Sequence, residues 1–232
     1  MLKGRKTNNF SMRVYLETIQ SIVGTHGLKS VLNYANLERY SENFPPFNYR
    51  TEIPLEDLQN LCRSLLELFG QRGIRSLQML VGQEIIFKSL ESYPLIIKLI
   101  LSVRLLVPER KRLWIGLKVL IRAVKKMYPS SDDSQGPRLE LKEEGENFVI
   151  IYRDNWESED VFSQSPVCHS TVGSLKAFVE WTTRHSYDVR ETECRAMGHP
   201  ADVFIISKSH QKGERRSEKR SFDSPFPQKK HV

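Results

Sequence analysis

The feature that most restricts the fold is a change of hydrophobic period at residues 129–136, Pro-Ser-Ser-Asp-Asp-Ser-Gln-Gly. Ahead of it, apolar side chains recur at helical spacing; behind it, they fall on alternate positions. A chain with this order cannot be a bundle throughout or a doubly wound sheet. It reads as α+β, a helical region followed by a small antiparallel sheet with a helix packed on it.

In the first half, Val14, Ile19, Ile22 and Val23 give a helix over 10–26 that Gly24 and Gly27 can end. A second helix is expected over 28–37. Residues 38–53, with Pro45-Pro46 among Phe44, Phe47 and Tyr49, read as an irregular segment, anchored to the surface or acting as a lid. Pro54, Glu56 and Asp57 suit a first helical turn. Leu58, Leu61, Leu65 and Phe69 continue at helical spacing, with a turn expected at Gly70-Gln-Arg-Gly73. From Ile74 to Tyr128 the pattern stays helical, broken near Pro94 and Pro108, and residues 95–107 are apolar nearly all round. The last helix of this half is divided. Leu113, Leu117, Leu120, Ile121 and Val124 form one stripe, and Lys111, Lys118, Arg122 and Lys125 lie opposite. That basic side is a solvated face or a contact for an anionic membrane surface or acidic partner.

Behind the break, Arg138–Lys142 and Asn147–Arg153 read as paired strands around Glu144-Gly145-Glu146. Residues 153–165 are acidic and irregular, 166–185 form a helix, and 187–193 and 203–207 form two more strands. The expected organisation is therefore a basic N-terminus (1–9), a helical region (10–128), a linker (129–137), an α+β region (138–208) forming one compact domain with the helices, and a disordered basic tail (209–232).

The formal net charge of +7 belongs to the two ends. Residues 1–9 carry three basic side chains and no acid, and 210–232 carry seven against three acids; the stretch between holds 25 of each. With no recognition motif beside it, this charge gives weak, salt-sensitive attraction to polyanions rather than specific nucleic-acid binding. Three cysteines are too few for a disulfide scaffold. No apolar stretch is long enough for a secretory signal or a membrane span, so a soluble cytoplasmic setting is expected.

Metal-ligating side chains gather at short intervals only in 166–207. Cys168 opens a helix, Glu191 and Cys194 close a strand, and Asp202 opens the next, with His169 and His199 in reserve. Thiolate, carboxylate and imidazole suit zinc or iron. Strand parity resists the set, because residues three apart face opposite sides of a regular strand. Glu191 and Cys194 share one ion only if the strand ends or bulges between them.

The stretch Tyr187-Asp-Val-Arg-Glu-Thr-Glu-Cys-Arg-Ala-Met-Gly198, with Asp202-Val-Phe-Ile-Ile after it, resembles the end of the 4-vinyl reductase domain. Pro166-Val-Cys-His-Ser-Thr-Val-Gly173 resembles the start of that domain's cysteine-bearing helix. The resemblance covers about 138–208, with a looser likeness over 10–128. It implies a fold shared with subunits of a vesicle tether and with haem nitric-oxide sensors, and binding of a small hydrophobic molecule more than reductase chemistry. It also implies zinc held by a helix-start Cys, a strand Glu, a Cys three residues on and a Cys eight beyond that. Here those positions are Cys168, Glu191, Cys194 and Asp202, so a carboxylate stands for the last thiolate.

These features lead to a non-catalytic binding or sensor domain with a structural metal. Leu80, Ile85, Phe87, Tyr93, Ile97, Trp114 and Phe178 are the candidate pocket residues. A tetrapyrrole reductase or a homodimeric scaffold are the alternatives. Against an enzyme, there is no dinucleotide fingerprint, nucleophile elbow or paired catalytic carboxylates. His26, His169, His185, His199 and His210 are the histidines available to a haem iron.

Overall fold

The structure is a computed structural model and describes residues 4–91, 107–127 and 138–210. Tyr93, Ile97, the break at Pro94, most of the apolar run 95–107, the linker 129–137 and residues 211–232 lie outside the described residues.

A short ribbon of β1 (Lys6–Thr7) and β2 (Ile53–Pro54) ties the start of the chain to the entry of its longest helix. Helix α1 (Asn9–Tyr34) opens with Asn8 as its cap, whose side chain accepts from the Ser11 N–H at 2.7 Å. A short α2 (Arg39–Glu42) precedes α3 (Leu55–Glu91). Each of the two long helices breaks at one glycine: Gly24 has φ 76° and ψ 174°, and Gly70 has φ 69° and ψ 175°. That region is essentially closed to a residue with a Cβ, so glycine is required at both kinks. The expected four-residue turn at 70–73 is thus a single-residue break, and Gly27 and Gly73 lie within helix. Likewise Pro54 pairs in β2, and the helix starts at Leu55. The segment with Pro45-Pro46 is anchored: Phe47 sits edge-on to Phe10 at 5.1 Å, with Tyr49 on the same ring at 4.9 Å.

Helix α4 (Glu109–Met127) leads to the hairpin β3 (Leu139–Glu144) and β4 (Asn147–Tyr152). Then come α5 (His169–Thr183), β5 (Tyr187–Glu193), a 3-10 turn (Arg195–Met197) and β6 (Asp202–His210). The sheet is antiparallel throughout, in the order β3-β4-β6-β5. Helix α5 begins later than expected, because Pro166 to Cys168 lie ahead of its first turn. Strand β6 continues past its expected end at Ser207 to His210.

Two apolar clusters result. One joins α1 to α3 through Tyr15, Leu16, Ile19, Leu58, Leu61 and Leu65. The other lies under α4 and α5 on the sheet, around Phe148, Phe178, Phe204 and Ile206. Trp114 of α4 stacks on Phe148 of β4 at 5.4 Å, fixing α4 across the sheet.

Helices α3 and α5 cross backbone against backbone. A Cβ on Gly82 would lie 2.0 Å from the Ser170 carbonyl oxygen, and one on Gly173 would lie 2.2 Å from that of Met79. The Ser174 hydroxyl donates to the Gly82 carbonyl at 2.9 Å across the same crossing.

The acidic segment 153–160 is not a solvated loop. Asp154 pairs with Arg138 and Arg5, and Glu159 with Arg195 and Arg5. Gln59 of α3 donates to the carbonyls of Trp156 and Glu159 at 3.2 and 2.9 Å, and the Trp156 ring meets Tyr15 of α1. Asn155, Glu157, Ser158 and Glu159 are all buried.

Candidate metal centre

The segment 154–160 sets the geometry of the site. Glu157 lies across the start of α5, where its carboxylate accepts from the Ser170 N–H (2.8 Å), the Thr171 N–H (2.9 Å) and the Thr171 hydroxyl (2.6 Å). A helix start offers unpaired N–H groups and a positive dipole end, so a carboxylate there fixes the helix end in position. Burial still pushes Glu157 up to about 7 against these hydrogen bonds. Cys168 is the residue immediately before α5 and is fully buried.

The other three candidates come from the β5–β6 end of the sheet. The register slips between Glu191 and Glu193, which pair with Phe204 and Val203, so two steps along β5 answer one along β6. That is a β-bulge, and β5 then ends at Glu193. Cys194 follows in extended form and caps the 3-10 turn. The two devices together resolve the parity conflict: Glu191 and Cys194 turn to the same side, toward Cys168.

Cys168, Glu191, Cys194 and Asp202 each offer one ligand atom, and these atoms all lie within 4.8 Å of one another. Tetrahedral zinc, with bonds of about 2.3 Å to sulfur and 2.0–2.2 Å to oxygen, needs ligand atoms roughly 3.3–3.8 Å apart. The four side chains would close by about an ångström onto such an ion. Cys168, Cys194 and Asp202 are 0% exposed, so solvent does not dilute their mutual repulsion.

Neighbouring groups prepare each ligand. The Cys168 N–H donates to Glu191 Oε2 at 2.9 Å. Asp202 Oδ1 accepts from the Arg195 N–H at 2.7 Å and Oδ2 from the Ser158 hydroxyl at 2.6 Å. The Cys168 thiol lowers Cys194 to about 6, and the backbone N–H groups of Val167 and Ala196 add to this. Burial pushes the Cys168 thiol well up and raises Glu191 to about 8. Glu191 Oε1 is buried with no hydrogen-bond partner. Without a cation, the cluster holds protons it would not otherwise keep at neutral pH. A divalent ion would release them and give the orphaned oxygen a partner.

The reserve histidines stand apart. His199 is exposed, with Nδ1 3.8 Å from Glu193, and the half-buried His169 is kept neutral by burial and Arg75, which lower it to about 4. Of the pocket candidates, Phe178 is buried on the sheet with Trp114 beside that cluster, whereas Ile85 packs on the α1–α3 cluster. Leu80 and Phe87 are 36% and 41% exposed.

The histidines available to an iron are scattered. His26, His185 and His199 are exposed, and His185 pairs with Glu109. His169 opens α5 and is not among the clustered ligands. None of these four is enclosed by the core between α4 and the sheet, so none fits a haem held there by histidine.

The class defined by this arrangement is an α+β domain in which α5 is clasped to a bulged β5–β6 pair by thiols and carboxylates. Residues 148–208 match the 4-vinyl reductase domain, and this part of the chain belongs to that family. An uncharacterized protein of Methanocaldococcus jannaschii is 30% identical over 69 residues, 29% of this chain and 30% of that relative. The chain thus aligns with less than a third of that relative's length. The fold extends further than the family match. The Fe(II) unliganded H-NOX protein from K. algicida superposes with a TM-score of 0.61 at 14% identity, covering 88% of this chain and 97% of that one. An H-NOX protein from S. oneidensis in the Fe(II)NO state gives 0.54 at 13%, over 86% and 99%. The H-NOX from Shewanella woodyi gives 0.56 at 15%, over 90% and 97%. The helices ahead of the family segment therefore belong to the same fold as the sheet.

Proposed function

We infer that the chain is a non-catalytic binding or sensor domain for a small hydrophobic molecule, with Cys168, Glu191, Cys194 and Asp202 holding a structural metal ion. The observation that carries this reading is the convergence of four acidic groups within 4.8 Å, with a buried oxygen of Glu191 left without a partner. Structural sites are closed, four-coordinate and braced by hydrogen bonds to their ligands, which matches the backbone and Ser158 contacts around this set. Zinc is the first choice. Two carboxylates among the ligands make the site harder than an all-thiolate one and open it to Fe(II) as well.

The family match and the fold shared with proteins described in ligated and unliganded states support the ligand half of the reading. Trp114 and Phe178, between α4 and the sheet, are the residues placed to meet such a molecule, since pockets of this kind are mostly apolar. The ion would hold α5 to β5 and β6, so that occupancy of the apolar side is felt at the strand ends.

Elemental analysis of untagged protein tests the metal, with Cys194→Ser as control and Asp202→Cys as the restored thiolate. Zinc or iron near one equivalent in wild type, loss in Cys194→Ser and tighter zinc in Asp202→Cys are expected. Equal metal in wild type and Cys194→Ser sinks the assignment. Native mass spectrometry tests the ligand: a retained apolar adduct that Phe178→Ala and Trp114→Ala release is expected. An adduct that both variants keep places the molecule elsewhere.

A further inference from the structure

Helix α4 carries seven of the chain's basic residues and, after Glu109 at its start, no acid. Residues 10–209 as a whole are balanced, so the rest of that stretch is correspondingly acidic and α4 is a pole of positive charge. Lys111, Ile115, Lys118, Val119, Arg122 and Lys125 recur at helical intervals, and all are exposed. They form a single stripe opposite Leu113, Leu117 and Ile121, which are committed to the core. Among the described residues, no carboxylate forms an ion pair with Lys111, Lys118, Arg122 or Lys125. Within the stripe, Ile115 and Val119 are 54% and 45% exposed, one turn apart and flanked by cations. Paired aliphatics left in water in this way mark a face that another surface covers.

Beside the stripe runs a groove of about 410 Å³ between α4 and the sheet's edge strand β3. Its floor is aliphatic, with Ile121, Leu139 and Leu141, and its rim is cationic, with Lys118, Arg122, Lys125 and Lys142. The one carboxylate lining it, Glu140, is already paired with Arg153 and Lys142. We propose that this face docks on the surface of a bilayer containing anionic phospholipid. The stripe lies parallel to the headgroups, Ile115 and Val119 dip between them, and the cation-rimmed groove takes a phosphate. Such surfaces attract clustered Lys and Arg, and exposed aliphatics add a contact that salt does not screen. An acidic protein would meet the charge but leaves no role for aliphatics spaced among the cations.

Flotation of the full chain with vesicles provides the test, using phosphatidylcholine alone and phosphatidylcholine mixed with phosphatidylglycerol. Binding to the mixed vesicles, weakening as salt rises, is expected. Each cation near an anionic surface contributes about fivefold, so Lys118→Glu/Arg122→Glu/Lys125→Glu should lower the partition coefficient by roughly a hundredfold or more. These side chains are exposed, so thermal melting should confirm that the variant stays folded. Ile115→Ser/Val119→Ser should remove the binding that survives at high salt. Three results overturn the proposal: no binding of wild type, which leaves the face to an acidic protein; equal binding to phosphatidylcholine alone; or unchanged binding of the triple variant, which assigns the attraction to the basic ends of the chain.

Discussion

Gly82 of α3 and Gly173 of α5 interlock, each fitted against the opposing backbone so closely that a methyl group would sit 2.0 Å from the Ser170 oxygen or 2.2 Å from the Met79 oxygen. The obstructing atoms are backbone, which cannot rotate away. Gly82→Ala and Gly173→Ala should each destabilise the fold by about 1–3 kcal/mol or more, as overpacking does. Urea denaturation measures this directly. Because both substitutions push the same crossing apart, the double variant should cost less than the sum of the two.

Ser158→Ala leaves Asp202 Oδ2 buried without its donor, at a cost of roughly 1–3 kcal/mol in metal-free protein. A bound ion that takes this oxygen replaces the lost partner. The gap between wild type and variant should therefore narrow on adding zinc, as read from thermal midpoints with and without a chelator. A gap that zinc leaves untouched would show that Asp202 keeps only a structural role.

Glu157 should make the metal-free protein less stable as pH rises. Its carboxyl is raised in the folded state to about 7 from an ordinary 4.5, so the folded chain binds this proton more tightly than the unfolded one. The contribution is whole below about 4.5 and is lost as pH climbs through about 7. Relative to Glu157→Gln, wild type should lose stability across that window and then level off. Denaturation midpoints taken across it in the presence of a chelator provide the comparison, and parallel profiles would contradict it.

Gly70→Ala places a Cβ at φ 69° and ψ 175°, although space around it is open. Strain alone should then cost about 1–3 kcal/mol. The substitution should not disturb the clasp, so metal content, measured beside stability, should stay at the wild-type level.

The alternation in β3, β4 and β6 and the helical stripes of α4 and α5 make the α+β plan legible in the sequence, since each element shows one face to a core. The ligand set is legible only through a resemblance to the 4-vinyl reductase domain. Spacing by itself argues against it, because a bulge between Glu191 and Glu193 is a backbone event with no side-chain signature. The segment 153–160 escapes sequence reasoning for a related reason. Its acids are buried against Arg5, Arg138, Arg195 and the first turn of α5, partners distant in sequence, and hydrophobicity cannot register a buried charge that is paired. The kinks are half visible: glycines mark them, but Gly27 and Gly73 carry the same letter inside unbroken helix.

The path of residues 154–160 also bears on where this protein can be divided. Arg5 lies just ahead of the first strand, Tyr15 in α1 and Gln59 in α3, yet all three meet one stretch that lies inside the family match. A fragment starting at Arg138 would contain every strand of the four-stranded sheet and all four candidate ligands. It would nonetheless lack the donors that satisfy this stretch and the helix that Gly173 is shaped to receive. The boundary drawn by family likeness is thus a record of inheritance. The smallest unit expected to stand alone begins far earlier, near Arg5.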